Sequence, residues 1–424
     1  MNSHQISKLP NRTVVTSFAS TSTPSSSNDY DDGHYILHVA NSKETTTKPL
    51  FSCALSNQTT LTYDRETLKK VHCIDRCHEK TISDLSYTQI NNAQDVPILV
   101  TSGLDGTVKL FDLRTNCSSS NGSIARGSLE LKIPDHEALS VSIGYQGALA
   151  AVGGSKGNVH FFDLRNASSC NGDDNTHYHK PLGTYVDAHT EEVTKVRFQN
   201  VVGSKGYDTT ALLVSAGEDG LACIHDTSQP TEEAALKSVL NVQSPLRDVN
   251  FFGPFLEGVY CLTGSETMSV WHHDSAQRMC EYGDIRNTLS TNSGIEINYL
   301  VGCCWDSNLN QLNLLAGNTK GDSAIFQVEA NSIGVKRVLA GGHKSCIRAF
   351  ALSSSSSSSS LQTPVIITAG EDSRFCEWNL LSNTSSSQRG DGDRKPAQST
   401  LNVLPKQGGG RIRKQKTRRG HNPY

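Results

Sequence analysis

The residue types that could support chemistry in this chain are its 15 histidines and 12 cysteines, together with scattered Ser and Asp. None of them falls in a Gly-x-x-x-x-Gly-Lys-Ser/Thr phosphate-binding loop or in a His-Glu-x-x-His pair. In those motifs the spacing itself sets up phosphate binding or zinc-assisted hydrolysis. The sequence therefore predicts a protein that is not an enzyme and has no catalytic or cofactor-binding residues.

One cluster has the residue types of a metal site, His72-Cys73-x-x-x-Cys77-His78. Zinc sites usually show paired Cys-x-x-Cys knuckles at a set distance, and this spacing is different. We therefore expect neither a metal nor a cofactor. Most cysteines lie in apolar, strand-like runs such as 51–55. That placement is typical of reduced, buried thiols, and it predicts an intracellular protein of the nucleus, the cytoplasm or both.

The most strongly charged segment is at the C-terminal end. Six of the nine residues in 411–419 are basic, in a chain of net charge −3. Such a run is typical of a nuclear-import signal or of a contact to RNA or DNA, and a solvated tail without a partner is the third reading. Its basic residues are Arg411, Arg413, Lys414, Lys416, Arg418 and Arg419.

Composition separates two tails from the remainder. Residues 1–33 and 384–424 are rich in Ser, Asn, Gly and other polar residues, and an eight-serine run occupies 353–360. Segments of this kind cannot bury enough apolar surface to fold, so we expect disordered tails. No run approaches the roughly 20 apolar residues of a membrane span, and the N-terminus lacks the apolar core of a secretory leader. No membrane contact is expected.

The region between the tails repeats itself. The phrase Leu99–Arg114 reads as a strand, a turn at Asp105-Gly106, a second strand and an aromatic-Asp pair. Six related phrases recur at spacings of 46 to 63 residues. The seven pairs are Tyr63-Asp64, Phe111-Asp112, Phe162-Asp163, His225-Asp226, Trp271-His272, Phe326-Gln327 and Trp378-Asn379. A single hairpin cannot cover both of its faces, whereas sheets stacked around a ring do so.

These phrases resemble WD40 repeats over roughly residues 34–383. The resemblance implies an all-β, seven-bladed propeller that is monomeric. The ring needs a final outer strand, which we expect from 13–18 in preference to 400–404.

In WD40 proteins an outer His, a strand Ser or Thr, a turn Asp and the Trp often form a hydrogen-bonded network inside a blade. The resemblance implies three such networks here and none in the blades with Lys156-Gly157 or Lys320-Gly321 at the turn. The network residues are His78, Thr101 and Asp105, then His189, Ser215 and Asp219, then His343, Thr368, Asp372 and Trp378.

The resemblance further implies a non-enzymatic scaffold that binds partner proteins. Leu99–Arg114 also resembles the box by which some WD40 proteins dock on the cullin-4 ligase adaptor, which would make Arg114 and Arg165 the contacts of a substrate receptor. The alternative for both arginines is that they cover apolar surface at a strand end. A third reading is an RNA or ribosome-assembly factor that acts through the basic tail. Arg197, Arg247 and Arg348, placed by the repeats at the starts of inner strands, are further candidate partner contacts.

Overall fold

Antiparallel β-sheet makes up nearly all of the regular structure. The computed structural model describes residues 6–7, 10, 12–15, 34–42, 49–88, 97–113, 129–165, 180–199, 211–354 and 364–380. The chain begins with two short strands, β1 (Ile6–Ser7) and β2 (Arg12–Val15). The strands that follow form seven sheets in chain order, which we call blades 1 to 7. The predicted all-β, seven-bladed propeller is confirmed.

The strands of each blade follow one another along the chain and lie side by side in the same order. Blade 1 contains β3 (Ile36–Asn41), β4 (Leu50–Leu55), β5 (Thr60–Asp64) and β6 (Lys70–Ile74). Blade 2 contains β7 (Ile82–Thr88), β8 (Ile98–Gly103), β9 (Thr107–Asp112) and β10 (Leu129–Lys132). Blade 3 contains β11 (Ala138–Gly144), β12 (Leu149–Gly154), β13 (Val159–Asp163) and β14 (Gly183–Tyr185). Blade 4 contains β15 (Val193–Phe198), β16 (Leu212–Gly217), β17 (Leu221–Asp226) and β18 (Leu236–Asn241).

The remaining blades are built in the same way. Blade 5 contains β19 (Leu246–Phe252), β20 (Gly258–Thr263), β21 (Thr267–His272) and β22 (Gln277–Asp284). Blade 6 contains β23 (Tyr299–Asp306), β24 (Gln311–Gly317), β25 (Ser323–Glu329) and β26 (Ser332–Leu339). Blade 7 contains β27 (Ile347–Ser354), β28 (Pro364–Gly370) and β29 (Arg374–Asn379). Helices α1 (Glu232–Ala235) and α2 (Arg286–Ser293) lie in connections, and within the described ranges no helix is long and apolar enough to cross a membrane.

Each predicted repeat phrase forms the second and third strands of one blade. In blade 2, Leu99 pairs with Phe111, and the turn between the strands is the predicted Asp105-Gly106. Gly106 has φ +78°, a conformation that costs a residue with a Cβ more than it costs glycine. The Asp105 carboxylate accepts the backbone N–H of Thr107 at 3.1 Å and holds the turn. The local turn chemistry thus fixes the register of the hairpin.

The ring is closed by the N-terminal part of the chain. β2 pairs antiparallel with β29, with Thr13 opposite Cys376, and so supplies the outer strand of blade 7. The strand expected from 13–18 is therefore present as Arg12–Val15, while the rival 400–404 lies outside the described residues. β1 adds a parallel strand to the edge of blade 6, with Ile6 opposite Val338. Nothing in the sequence predicted that pairing.

The core lies between neighbouring blades. Val100 and Leu131 of blade 2 pack in one buried cluster with Val152 and Phe162 of blade 3. A corresponding cluster joins blade 1 to blade 7 through residues that include Phe51 and Phe375, so the last sheet packs against the first. Packing of this kind buries both faces of every sheet, which a single repeat could not do.

The alternation of strand direction gives the propeller two faces. We call the face with the turns between second and third strands, such as Asp105-Gly106, the upper face. The lower face carries the connections between first and second strands and between third and fourth strands, including Gly253–Glu257. The first strands of successive blades contact one another around the ring, and β27 contacts β3. They are the inner strands, and they surround a central opening.

Candidate functional site

The blade 2 network is assembled from its predicted residues. His78 lies in the connection before β7, and its Nε2 is 2.7 Å from Thr101 Oγ1. Its Nδ1 is 3.1 Å from both carboxylate oxygens of Asp105. The Asp105 carboxylate also accepts the backbone N–H of Glu79 at 2.8 Å. Although burial raises the pKa of Asp105, its hydrogen bonds from His78 and Thr107 hold that pKa well below its usual range.

Blade 4 repeats this geometry. His189 Nε2 is 2.9 Å from Ser215 Oγ, and its Nδ1 is 3.1 Å from Asp219 Oδ2. At the position of the Trp, His225 is buried and neither of its ring nitrogens has a partner among the residues that the structure describes. Burial lowers the pKa of His225 to about 4, so its imidazole is neutral at physiological pH.

Blade 7 holds the complete set. His343 contacts Thr368 Oγ1 at 2.8 Å and Asp372 at 3.0 Å, and the Trp378 indole N–H donates to Thr368 Oγ1 at 2.8 Å. Burial lowers the pKa of His343, but hydrogen bonds to Asp372 and Cys376 outweigh it and raise that pKa to about 9. His343 is therefore charged at neutral pH, unlike His225.

Blade 3 differs from the sequence-based expectation that Lys156 at the turn leaves it without a network. Asp135 occupies the outer position at which blades 2, 4 and 7 carry His, and His160 lies on β13, the third strand of the blade. Asp135 accepts the backbone N–H of Lys156 at 3.1 Å and the Asn158 amide at 3.0 Å. His160 Nε2 lies 3.1 Å from Asp135 Oδ1. The imidazole therefore comes from the third strand and not from the turn position that carries the acid in blades 2, 4 and 7, so a search for the usual residue order does not find this pair.

None of these groups is arranged for catalysis. The His side chains of the blade 2, 4 and 7 networks are fully buried, and their nitrogens face Ser, Thr and Asp of the same blade. The expectation that the chain holds no Gly-x-Ser-x-Gly motif is wrong as a statement of sequence, because Gly153–Gly157 spells it. In the structure this segment is the turn between β12 and β13, whereas a nucleophile elbow requires a strand-to-helix turn.

The metal-like cluster is also dispersed by the fold. His72 and Cys73 lie on the outer strand β6, whereas His78 turns inward to Thr101. Burial raises the pKa of Cys77 to about 12, and its thiol donates to the Gln58 carbonyl at 3.1 Å. In the described part of the chain no three acidic, His or Cys side chains converge as a metal site would require.

The candidate contact arginines differ in their surroundings. Arg348 of β27 donates to Glu371, and Arg247 of β19 donates to the Leu300 carbonyl at 2.7 Å, both on the upper side. Arg165 lies on the lower face, 65 % exposed, with a 2.7 Å ion pair to Asp163. Arg114 and the basic residues of 411–419 lie outside the described residues.

Arg197 is not at the start of an inner strand, as the repeats suggested, but is the fifth residue of β15. Its Nη1 donates to Asp84 Oδ2 at 2.9 Å and to Ser140 Oγ at 3.0 Å. Lys195 Nζ lies 3.7 Å from the same Asp84 oxygen. We call Asp84, Lys195 and Arg197 the central cluster. It joins blade 2 to blade 4 and, through the hydrogen bond to Ser140, to blade 3.

The electrostatics of the central cluster keep it ionised. Burial raises the pKa of Asp84, but Arg197 and Lys195 outweigh burial and hold that pKa well below its usual range. Asp248 of β19 faces the same opening and accepts the Tyr260 hydroxyl at 3.2 Å. His38 of blade 1 lies near the cluster, and burial together with Lys195 lowers its pKa to about 4, so its imidazole is neutral at physiological pH. The arrangement is a buried salt bridge that links blades, and it is not an acid-base pair.

A cavity of about 300 Å³ opens at the lower mouth of the central opening. It lies where β19 and β23 contact each other over a shorter length than any other neighbouring inner strands. Its lining residues are Ser142, Arg197, Phe198, Asn250, Phe251, Gly253, Pro254, Leu256, Trp305 and Ser307. Beside it, in the connection that includes Pro254 and Leu256, Phe255 is 85 % exposed. We call this cavity with Phe255 the lower-mouth pocket.

Sequence reasoning missed most of this site. The sequence does contain a signal for part of the site. The second residue after the buried residue that begins an inner strand is charged in three blades, at Asp84, Lys195 and Asp248. Polar or charged residues at that register position face the central opening. The pocket itself depends on the short contact between the inner strands β19 and β23, for which no residue pattern is apparent.

Comparisons with known proteins agree with the architecture. The family model described as WD domain, G-beta repeat matches residues 69–112. The chain is 27 % identical over 351 residues to the WD repeat-containing protein 89 homolog of Dictyostelium discoideum, covering 82 % of this chain and 83 % of that protein. It is 26 % identical over 318 residues to WD repeat-containing protein GTS1 of Arabidopsis thaliana, covering 71 % of each.

Among solved structures, a chain in the crystal structure of a mitotic checkpoint complex superposes with a TM-score of 0.59 at 12 % identity. The match covers 89 % of this chain and 94 % of that chain. The identity is too low to carry more than the fold. Together these findings confirm the predicted resemblance to the WD40 repeat family.

Proposed function

We propose that this WD40-like propeller is a non-enzymatic platform for partner proteins and that the lower-mouth pocket is a partner-binding site on it. The likeness to WD-repeat proteins supports the general role. The observation that carries the specific site is the exposed Phe255 beside a cavity lined by aromatic side chains and one arginine. Aromatic residues and Arg in pockets dominate the energetics of protein interfaces.

A second exposed apolar side chain of the lower face supports the same site. Leu309, in the connection between β23 and β24, is 47 % exposed and follows the pocket residue Ser307 by two positions. The cavity, at about 300 Å³, lies at the small end of ligand-binding pockets. A partner therefore inserts side chains into it and rests its remaining surface on the lower-face loops.

Affinity purification of the tagged full chain tests this role. Phe255→Ala together with Leu309→Ala removes the two exposed side chains and leaves the inner strands unchanged. Val71→Ala is the matched control, because Val71 is 46 % exposed on the outer strand β6 of blade 1, away from the pocket. We expect mass spectrometry to find at least one partner that the control retains and the double variant loses. Identical partner sets from both variants would refute the proposal.

A second candidate is the substrate receptor of a cullin-4 ligase. It is favoured by Arg165, which extends 65 % exposed from the end of blade 3 on the lower face. Its ion pair with Asp163 is easily exchanged for a partner contact, because exposed pairs contribute little stability. Under this proposal Arg165→Ala with Arg114→Ala abolishes recovery of the adaptor. Recovery equal to that of the unaltered chain rejects the receptor role and leaves the platform unaffected.

The basic segment 411–419 carries a separate proposal, that it directs nuclear import or contacts nucleic acid. Its six basic residues leave a charge of about −9 on the remainder of the chain. A chain cut after Gly410 separates the two roles. Loss of nuclear fluorescence from a tagged protein supports import, and loss of RNA crosslinking supports nucleic-acid contact. If both are unchanged, the segment has neither role.

A further inference from the structure

We propose that the lower-mouth pocket recognises a carboxylate side chain next to a large apolar side chain, presented by an extended segment of a partner protein. This inference rests on the proposed function and specifies its partner chemistry. It follows from the charge of the pocket lining, from the free donors of Arg197 and from the aromatic walls.

The charge of the lining selects against a cation. Of the described residues that line the pocket, Arg197 is the only charged one. The polar side chains beside it, Ser142, Asn250 and Ser307, are uncharged. A Lys or Arg from a partner would lose its water shell without gaining a carboxylate. An Asp or Glu would meet a guanidinium, the group whose planar donors match a carboxylate best.

The guanidinium of Arg197 also has donors to spare. Its Nη1 is fully used, since it donates to Asp84 Oδ2, Ser140 Oγ and the Val196 carbonyl at 2.8–3.0 Å. Its Nη2 has one long contact, 3.5 Å to Asp84 Oδ1, and its Nε has no hydrogen-bond partner within the described ranges. Arginine carries five N–H donors, so about three remain for a ligand.

The neighbouring charges leave this donor capacity intact. Asp84 is shared between Arg197 and Lys195, which lies 3.7 Å away. The other carboxylate that faces the opening, Asp248, accepts the Tyr260 hydroxyl. Neither carboxylate lines the pocket. The acid nearest to Phe255 is Glu257, whose carboxylate accepts the Phe255 backbone N–H at 2.9 Å, so the charged donor for an incoming carboxylate is Arg197 inside the cavity.

The apolar half of the specificity comes from the walls. Phe198, Phe251 and Trp305 line the pocket, and Trp305 packs on Phe252 with ring centroids 5.9 Å apart. Exposed Phe255 adds a further ring beside it. A large aromatic or aliphatic side chain would bury against these rings, because apolar area removed from water stabilises the complex. A cavity of about 300 Å³ admits side chains rather than a folded domain, which favours an extended segment.

Trp305 supplies the readout. It lines the pocket, whereas the other two tryptophans, Trp271 and Trp378, are buried inside blades at 7 % and 2 % exposure. The probe is the capped peptide acetyl-Gly-Glu-Phe-Gly-amide, titrated into the full chain while tryptophan fluorescence is followed. Its counterparts carry Gln or Lys in place of Glu, or Gly in place of Phe. A Trp305→Phe variant identifies the source of the signal.

We expect a saturable fluorescence change with the Glu-Phe peptide and binding about tenfold weaker for the Gln-Phe peptide, because one charge-assisted pair is lost. The Lys-Phe and Glu-Gly peptides should bind more weakly still. Phe255→Ala should weaken the Glu-Phe peptide without disturbing the core. Arg197→Lys should reduce the preference for Glu over Gln, because lysine lacks the spare planar donors of the guanidinium, while a cation remains beside Asp84.

Several results would overturn the inference. Equal affinity for the Glu-Phe and Gln-Phe peptides would rule out carboxylate recognition, and so would no binding by any peptide. Equal binding of free 3-phenylpropionate would indicate a small-molecule site instead of a polypeptide site. In each case the partner set lost from the Phe255→Ala, Leu309→Ala chain still decides the proposed function separately.

Discussion

Neutralising Asp84 should lower the free energy of unfolding more than neutralising an exposed carboxylate does. Asp84 is 4 % exposed and accepts hydrogen bonds from Arg197 at 2.9 Å and Ser140 at 2.7 Å. Asp84→Asn preserves the shape but leaves the Arg197 and Lys195 charges without their anion. Breaking a buried pair by removing one partner costs about 3–5 kcal/mol. Since an amide oxygen can still accept one bond, we expect a loss of about 3 kcal/mol in the free energy of unfolding.

Urea denaturation of the full chain, followed by far-ultraviolet circular dichroism, measures this loss. The matched control is Asp274→Asn, because Asp274 is 68 % exposed and pairs with Lys237 at 3.7 Å. Exposed pairs are worth less than about 1 kcal/mol, so the control should unfold close to the unaltered chain. Equal midpoints for Asp84→Asn and Asp274→Asn would refute the reasoning.

A double variant tests the cause of the loss. Asp84→Leu with Arg197→Met replaces the buried pair by apolar groups, an exchange that is often neutral. The pair should therefore recover most of the stability that Asp84→Asn loses. A double variant as unstable as Asp84→Asn would show that the stranded Arg197 guanidinium is not responsible, because Lys195 is present in both chains.

Three further variants probe the blades. His225→Phe should raise stability below pH 6.5 by up to about 3 kcal/mol, because the pKa of His225 falls to about 4 and only the unfolded chain takes up that proton in between. His343 has a raised pKa of about 9, so the stability it adds is complete below pH 6.5 and is lost as the pH rises through 9. As the pH is raised from 6.5 to 9, the urea midpoint of His343→Gln should therefore approach that of the unaltered chain. Gly321→Ala should lower the thermal midpoint, because φ is +92° and its Cβ would lie 2.5 Å from the His343 carbonyl carbon.

Each of these three predictions has its own contradicting result. An unchanged acid limb in His225→Phe would mean that His225 is protonated in the folded chain. A His343→Gln deficit that is constant with pH would mean that His343 is neutral there. A wild-type midpoint for Gly321→Ala would mean that the turn relaxes without cost.

The sequence was sufficient for the sheets, because each hairpin is specified locally. The Asp105-Gly106 pair predicts the turn. The alternation of apolar and polar residues on either side of it predicts which residues lie opposite each other, as Leu99 and Phe111 do. Stacking hairpins around a ring then follows from the need to cover both faces. The His78 and His343 networks were predictable because the family resemblance supplied the residue order that the blades share.

The central cluster was not predictable in the same way. Arg197 and Asp84 are 113 residues apart and meet only after three blades have packed. Asp135 takes the position at which blades 2, 4 and 7 carry His, and its partner His160 lies on β13, so the usual residue order does not identify them. The pairing of Ile6 with Val338 depends on an edge strand whose partner no local motif identifies.

The most direct test of the platform proposal is site-specific photo-crosslinking in cells. One chain has Phe255 replaced by photo-reactive p-benzoylphenylalanine, and a second has the same replacement at Val71 on the outer strand β6. We predict that irradiation links a discrete partner protein to position 255 and not to position 71. Crosslinks from position 71 alone, or no protein linked at position 255, would contradict a partner site at the lower mouth of the propeller.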